Sequence, residues 1–152
     1  MAGNDGRRAH VFEVYGRWSA DTQIGEIGLG GPQTAAISVP EAFGGTKPGT
    51  NPEELLLASA LSCYLMTLSR LLSQRNLARL RVEASIVGEV SRTREGLHFD
   101  GIRLRPVVHG AGGDPSQRHE IERALLDAED ACFIARTLRP CIPYALEPRL
   151  AD

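Results

Sequence analysis

The sequence predicts an α+β protein, with antiparallel sheets around a long central helix. Three observations predict it. NPEELLLASALSCYLMTLSRLL, Asn51 to Leu72, is built from strong helix formers and carries no Gly or Pro after Pro52. Two segments downstream alternate polar and apolar residues with the period of a strand. Strands and helices also come in runs and do not alternate one by one, which argues against a parallel doubly wound sheet.

In chain order, residues 1–9 are polar and glycine-bearing and read as a frayed, flexible terminus. VFEVYGRW (Val11 to Trp18) is rich in β-formers. QIGEIGLGGP (Gln23 to Pro32) is a short strand interrupted by glycines, and TAAISV (Thr34 to Val39) is another, so the three suggest an antiparallel meander. FGGTKPGTNP (Phe43 to Pro52) is a loop that delivers the chain to the long helix. Thr50 or Asn51 can cap that helix, Pro52 suits its first position, and Glu53 and Glu54 place negative charge where the helix dipole favours it. RLRVEASIVGEVSR (Arg79 to Arg92) puts Leu80, Val82, Ala84 and Ile86 on one face, and LHFDGIRLRPVVHG (Leu97 to Gly110) holds a second long strand, with TREG as a hairpin turn between them. A second helix opens at Asp114 or Ser116, shows Ile121, Leu125, Ala128 and Cys132 at helical spacing, and stops at Arg139-Pro140. CIPYALEP (Cys141 to Pro148) reads as a final strand. No internal repeat or second domain is visible, so 1–152 is expected to be a single domain.

Composition sets bounds on function. The 152 residues are 42% hydrophobic and 24% charged with a net charge of −2, an ordinary globular balance. It offers no basic footprint for nucleic acid. No run approaches the roughly 18 continuous apolar residues of a membrane span, so no membrane partner is expected. MAGNDGRRAH has no apolar run behind its arginines, so no secretory signal is visible and a cytoplasmic location is the expectation. Three cysteines, Cys63, Cys132 and Cys141, are too few and too scattered for a disulfide framework.

In the long helix, leucines from Leu55 to Leu72 cover almost the whole circumference. A helix apolar all round is buried all round. One sheet of five or six strands covers one side, so a second copy of the chain is the simplest cover for the other, and a homodimer is expected. The other reading is a helix wrapped by its own sheet and second helix.

Cys63 and Cys132 fall on the two expected helices among small and apolar neighbours. A lone cysteine on an apolar helix is more often packing than nucleophile. A zinc site would need the cysteines and a histidine to converge without CxxC or HxxxH spacing. His10, His98, His109 and His119 sit in surface contexts. There is no GxSxG elbow, no Walker loop and no dinucleotide fingerprint. The residues alone lead to a dimeric α+β protein with two helix cysteines of unassigned chemistry.

GTNPEELLLASALSCYLMTLS carries a more specific signal. It resembles the signature of the OsmC/Ohr family, the osmotically inducible and organic hydroperoxide resistance proteins: a G-T-N-P-E-[EQ]-L stretch, here Gly49 to Leu55, followed by a reactive cysteine in mid-helix, here Cys63. A second family cysteine late in the chain is matched by Cys132 in AEDACFIARTL. The resemblance implies an OsmC-like fold in an intertwined homodimer and a thiol peroxidase. In such an enzyme Cys63 would attack an organic hydroperoxide and become a sulfenic acid, Cys132 would resolve it as a disulfide, and an external dithiol, of lipoyl type, would reduce the bond. No bound cofactor is implied. The family also uses an arginine near the second strand, held by the glutamate that Glu53 matches; SADTQIGEIG has none, and Arg17 is the nearest candidate, with an exposed strand arginine as its other reading. Phe133 stands where the family commonly has proline, and Cys141 is an extra thiol. The rival functions are a non-peroxidatic holder of an apolar ligand on the same fold, and a thioester hydrolase, which would want a histidine base near Cys63.

Overall fold

The β-rich letters between Gly16 and Ser38 form three short strands, β1 (Gly16–Ser19), β2 (Ile24–Gly28) and β3 (Thr34–Ser38), in an antiparallel meander. The computed structural model describes residues 9–46 and 48–151, and the chain falls into two units, one ending at Pro52 and one beginning at Glu53. The frayed start expected at 1–9 lies, Ala9 apart, outside the described residues. In the first unit the leading strand is shorter than the expected Val11 to Trp18. Val11, Phe12, Val14 and Tyr15 are exposed, and β pairing begins only at Gly16, opposite Ile27. Gly25 faces Trp18 across the ladder, where a Cβ would come within 2.6 Å of the Arg17 carbonyl oxygen, so this position requires glycine. Thr50 donates its N–H to the Ala36 carbonyl (2.9 Å), pinning the glycine-rich loop beside β3.

The second unit opens with α1 (Pro52–Gln74), a helix of 23 residues. Its buried residues are Ala60, Tyr64, Leu68 and Leu72, one stripe at a spacing of four. The expectation of burial all round is not met within this chain: Met66 is 73% exposed, and the helix has one covered face. α1 holds no continuous apolar run of membrane-spanning length, but it is apolar on average. Over an 18-residue window α1 reaches a mean hydropathy of 1.6, because Ser and Thr interrupt the leucines without adding charge. By length and composition α1 passes that test, as the core helix of a soluble protein also does.

Asn76 ends α1 in the left-handed region (φ 58°), a conformation asparagine tolerates, and Leu77 donates back to the Leu72 carbonyl (2.8 Å). β4 (Arg81–Thr93) and β5 (Gly96–His109) then form a long hairpin, closed at Thr93 opposite Gly96. Gly96 has φ 120°, which only glycine adopts freely. Leu80, Val82, Ala84 and Ile86 all pack on the core, as their alternation predicts.

Asp114 caps α2 (Pro115–Ala131), its carboxylate accepting from the Ser116 N–H at 3.0 Å, with Pro115 in the first turn. The second helix is not continuous: it breaks at Cys132, and α3 (Phe133–Leu138) follows. The final strand is likewise divided, into β6 (Tyr144–Leu146) and β7 (Arg149–Ala151). Both pair with β5 in parallel, so this sheet is mixed. The core lies between the α1 stripe, Leu104 and Val108 of β5, and Ile121, Ala124, Leu125 and Ala128 of α2. Arg75 ties the helices at the surface, reaching Asp127 at 2.5 Å and Glu120 at 3.6 Å.

Leu68 is fully buried at the centre of this packing. Leu68→Ala is expected to lower the unfolding free energy by about 3 kcal/mol, and Asp114→Ala by about 1 kcal/mol. Urea denaturation measures both, and a loss below about 1 kcal/mol for Leu68→Ala would contradict the core as described.

Candidate active site

Cys63 immediately precedes Tyr64 of the buried stripe and therefore sits at its edge, half-buried. Its carbonyl accepts the Thr67 hydroxyl one turn on, at 2.8 Å. Cys132 is fully buried. It does not lie within a helix, as its spacing predicts, but between two, serving as C-cap of α2 and N-cap of α3 with an extended ψ of 106°. The break leaves few backbone groups unsatisfied: Cys132 N–H donates to the Ala128 carbonyl (2.9 Å), and its carbonyl accepts from Arg136 N–H (3.0 Å).

The fold brings the two sulfurs together. Both are free thiols, and Cys63 packs against the buried cluster that contains Cys132. Burial above all, and then the neighbouring Cys63, push the Cys132 thiol up to about 11. The amides of Ala135 and Ile134 act in the other direction, although the sulfur makes no cap hydrogen bond to α3.

Four residues that sequence reasoning passes over share these surroundings. Tyr64 donates to the Leu125 carbonyl at 3.2 Å, and burial pushes its phenol well up. Burial also holds the Tyr144 phenol at about 12, reinforced by the charges that Cys132, Glu129 and Cys63 can carry and opposed by Arg139. Arg139 lies 3.2 Å from the Glu129 carboxylate and donates to the Glu129 carbonyl at 2.7 Å. Burial raises Glu129 nonetheless, with Arg139 acting against it. Tyr64 could have been suspected as the neighbour of Cys63. Tyr144 has no local signal, because the parallel pairing of β6 with β5 alone delivers it.

Of the other two expected site residues, one rides on α1 and the other belongs to the first unit. Glu53 lies in the first turn of α1, ten residues or roughly 15 Å from Cys63 along the helix. Its Oε2 is buried with no hydrogen-bond partner among the described residues. Arg17 lies on β1 in the first unit, exposed, with its guanidinium 3.1 Å from Glu26 on the paired strand. Among the described residues no three of His, Cys, Asp and Glu converge as a metal site. A cavity of about 320 Å³ lined by Leu65, Ser69, Leu72, Leu77, Leu80 and Val82 includes neither thiol.

Comparison with known proteins gives a consistent result. A model of the OsmC-like protein family matches residues 44–147. The uncharacterized protein YmaD of Bacillus subtilis (strain 168) is 29% identical over 143 residues, covering 91% of this chain and 93% of that protein. Among solved structures, an organic hydroperoxide resistance protein OsmC from Legionella pneumophila, described as a predicted redox protein, superposes with a TM-score of 0.71 at 16% identity, covering 95% of this chain and 100% of that one. The organic hydroperoxide resistance protein OhrB of Bacillus subtilis gives a TM-score of 0.65 at 23% identity, covering 90% and 96%.

The elevated Cys132 thiol makes stability pH-dependent. Unfolded, Cys132 ionises in the ordinary range near 8.5; folded, it keeps its proton up to about 11. In that interval the native state binds more protons than the unfolded state, so its stabilising contribution is complete below the interval and is lost as pH rises through it. The unfolding free energy is expected to fall from about pH 8.5 to pH 10, and to fall less in Cys132→Ala. Denaturation at several pH values checks this; equal slopes in the two proteins would show that Cys132 ionises normally in the fold.

Proposed function

The chain belongs to the OsmC-like protein family, and from that premise we propose that it is a thiol peroxidase that reduces organic hydroperoxides to alcohols. The carrying observation is the meeting of Cys63 and Cys132, two thiols 69 positions apart that the fold gathers at one buried cluster, near enough for Cys63 to influence the Cys132 thiol. Their environments divide the work. Cys63 is half-buried and accessible to a substrate, whereas Cys132 is sealed and held protonated. Cys63, as thiolate, attacks one oxygen of the hydroperoxide; the O–O bond breaks, Cys63 becomes a sulfenic acid, and the alkoxide leaves as alcohol after taking a proton. Cys132 then attacks the sulfenic sulfur, its proton leaves with the hydroxyl as water, and a Cys63–Cys132 disulfide remains. An external dithiol, of lipoyl type in our reading, restores both thiols by exchange.

A thiolate in an apolar site needs a cation. Following the family resemblance, we assign that role to Arg17, held by Glu53. Because Glu53 is roughly 15 Å from its own Cys63 along α1, the Glu53 that serves each site is proposed to come from a second copy, in a homodimer assembled on the uncovered face of α1. A cytoplasmic, reducing setting and oxidative-stress defence fit this chemistry. One observation favours the alternative, a non-peroxidatic protein holding a small apolar ligand on the same fold: Arg17 is exposed and already paired with Glu26.

Reduced protein treated with one equivalent of cumene hydroperoxide and mapped by peptide mass spectrometry separates these readings. The peroxidase gives a rapid, dithiol-reversible Cys63–Cys132 bond, and thiols that stay reduced sink it. Cys63→Ser is expected to lose turnover by about a hundredfold or more. Cys132→Ser should retain one turnover and accumulate oxidised Cys63. Arg17→Ala should slow the first oxidation at least tenfold, and an unchanged rate removes Arg17 from the mechanism.

A further inference from the structure

Two buried donors of the second unit have no hydrogen-bond partner among the described residues: the Tyr144 hydroxyl and Nε of Arg139. Leaving a buried donor unsatisfied costs about 1–3 kcal/mol, and the neighbouring phenol, Tyr64, avoids that cost by donating to Leu125. Tyr144 is fixed by other means. It opens β6, opposite Ile102 in the parallel ladder, and Ile102 donates its N–H to the preceding Pro143 carbonyl at 2.8 Å. Its side chain packs on the core cluster that contains Cys132 and also receives Cys63. Ring packing and backbone register therefore hold a hydroxyl that has nothing to bond. A neutral thiol sulfur is a weak acceptor and a thiolate a strong one. An unbonded donor packed on the cluster that contains Cys132 would gain a partner by turning toward that sulfur when charge develops on it, which is the arrangement that lowers a barrier without stabilising the ground state.

We propose that Tyr144 donates a hydrogen bond to the Cys132 sulfur during disulfide closure. This rests on the thiol-peroxidase reading. As Cys132 attacks the Cys63 sulfenic acid, the S–S bond forms, the S–O bond breaks, and the Cys132 proton departs with the leaving oxygen as water; Tyr144 stabilises the transient negative charge on the attacking sulfur and keeps its own proton. Glu129, beside it, is already engaged by Arg139.

The test is single-turnover oxidation of the full chain, parent against Tyr144→Phe, with sulfenic acid trapped by a cyclic 1,3-dione and the disulfide quantified by mass spectrometry. Tyr144→Phe is expected to form the sulfenic acid within twofold of the parent rate, to close the disulfide at least tenfold more slowly, and to accumulate the dione adduct on Cys63. Its melting temperature should equal or exceed the parent's, since an unpartnered hydroxyl is removed. Closure at the parent rate overturns the role of Tyr144 and leaves the peroxidase standing. A parent that forms no sulfenic acid overturns both, and the parent alone separates the two failures. If Tyr144→Phe does not fold, 3-fluorotyrosine at position 144 keeps the hydroxyl and makes it a stronger donor; faster closure supports the role, and an unchanged rate overturns it.

Discussion

The second unit depends on one packing constraint: α1 buries a single stripe, Ala60, Tyr64, Leu68 and Leu72, and packs the last three against β5 and α2. A four-residue repeat advances about 40° beyond a full turn at each step, so the stripe winds gradually around the helix. Everything chemical on α1 takes its position from that stripe. Cys63 lies one residue off it, partly covered and partly open. Met66 lies on the uncovered side and is largely exposed. Rotating the helix by one residue would bury Cys63 and release Tyr64 from its bond to Leu125.

The opposing thiol depends on a backbone irregularity. A continuous helix through Cys132 would carry the chain on in the direction of α2. The extended ψ at Cys132 redirects it into the short α3, while the amide and carbonyl of the same residue remain in helical hydrogen bonds. The break thus places Cys132 at a junction with little loss of backbone satisfaction, and burial there keeps its thiol protonated. One cysteine is set by side-chain periodicity and the other by a helix break, and the division between an accessible and a sealed thiol follows from that difference.

Around the pair the interior is more polar than a core needs to be. Two phenols and the Arg139–Glu129 ion pair lie near sulfurs that apolar residues alone could have enclosed. Buried polar groups are retained where they are satisfied or where they are used. Tyr64 belongs to the first kind through Leu125, and the Arg139 fork is largely occupied by Glu129 and Asp130. Tyr144 belongs to neither until charge appears beside it.

Much of this molecule could be read from its letters. The long helix, its start at Pro52, the period-two strands, the turn ahead of Gly96 and the Asp114 cap each depend on residues within one or two turns of one another, and local physics settles them. The GTNPEEL stretch with Cys63 behind it identified the family for the same reason, since its residues are contiguous. Other features were not legible. Val11 to Tyr15 carry β-forming side chains yet stay outside the sheet, since forming a strand also requires an available neighbour. The break at Cys132 lies in a segment with good helical periodicity and no Gly or Pro, so only packing could impose it. The approach of Cys63 to Cys132, and of Tyr144 to both, is a matter of how α1, α2 and β6 meet across large separations in the chain. The sequence by itself determined which residues could do redox chemistry and on what elements they ride; only the tertiary structure decided which thiol is sealed, which is open, and which hydroxyl waits beside them, because those properties belong to the packing of distant segments and to no segment alone.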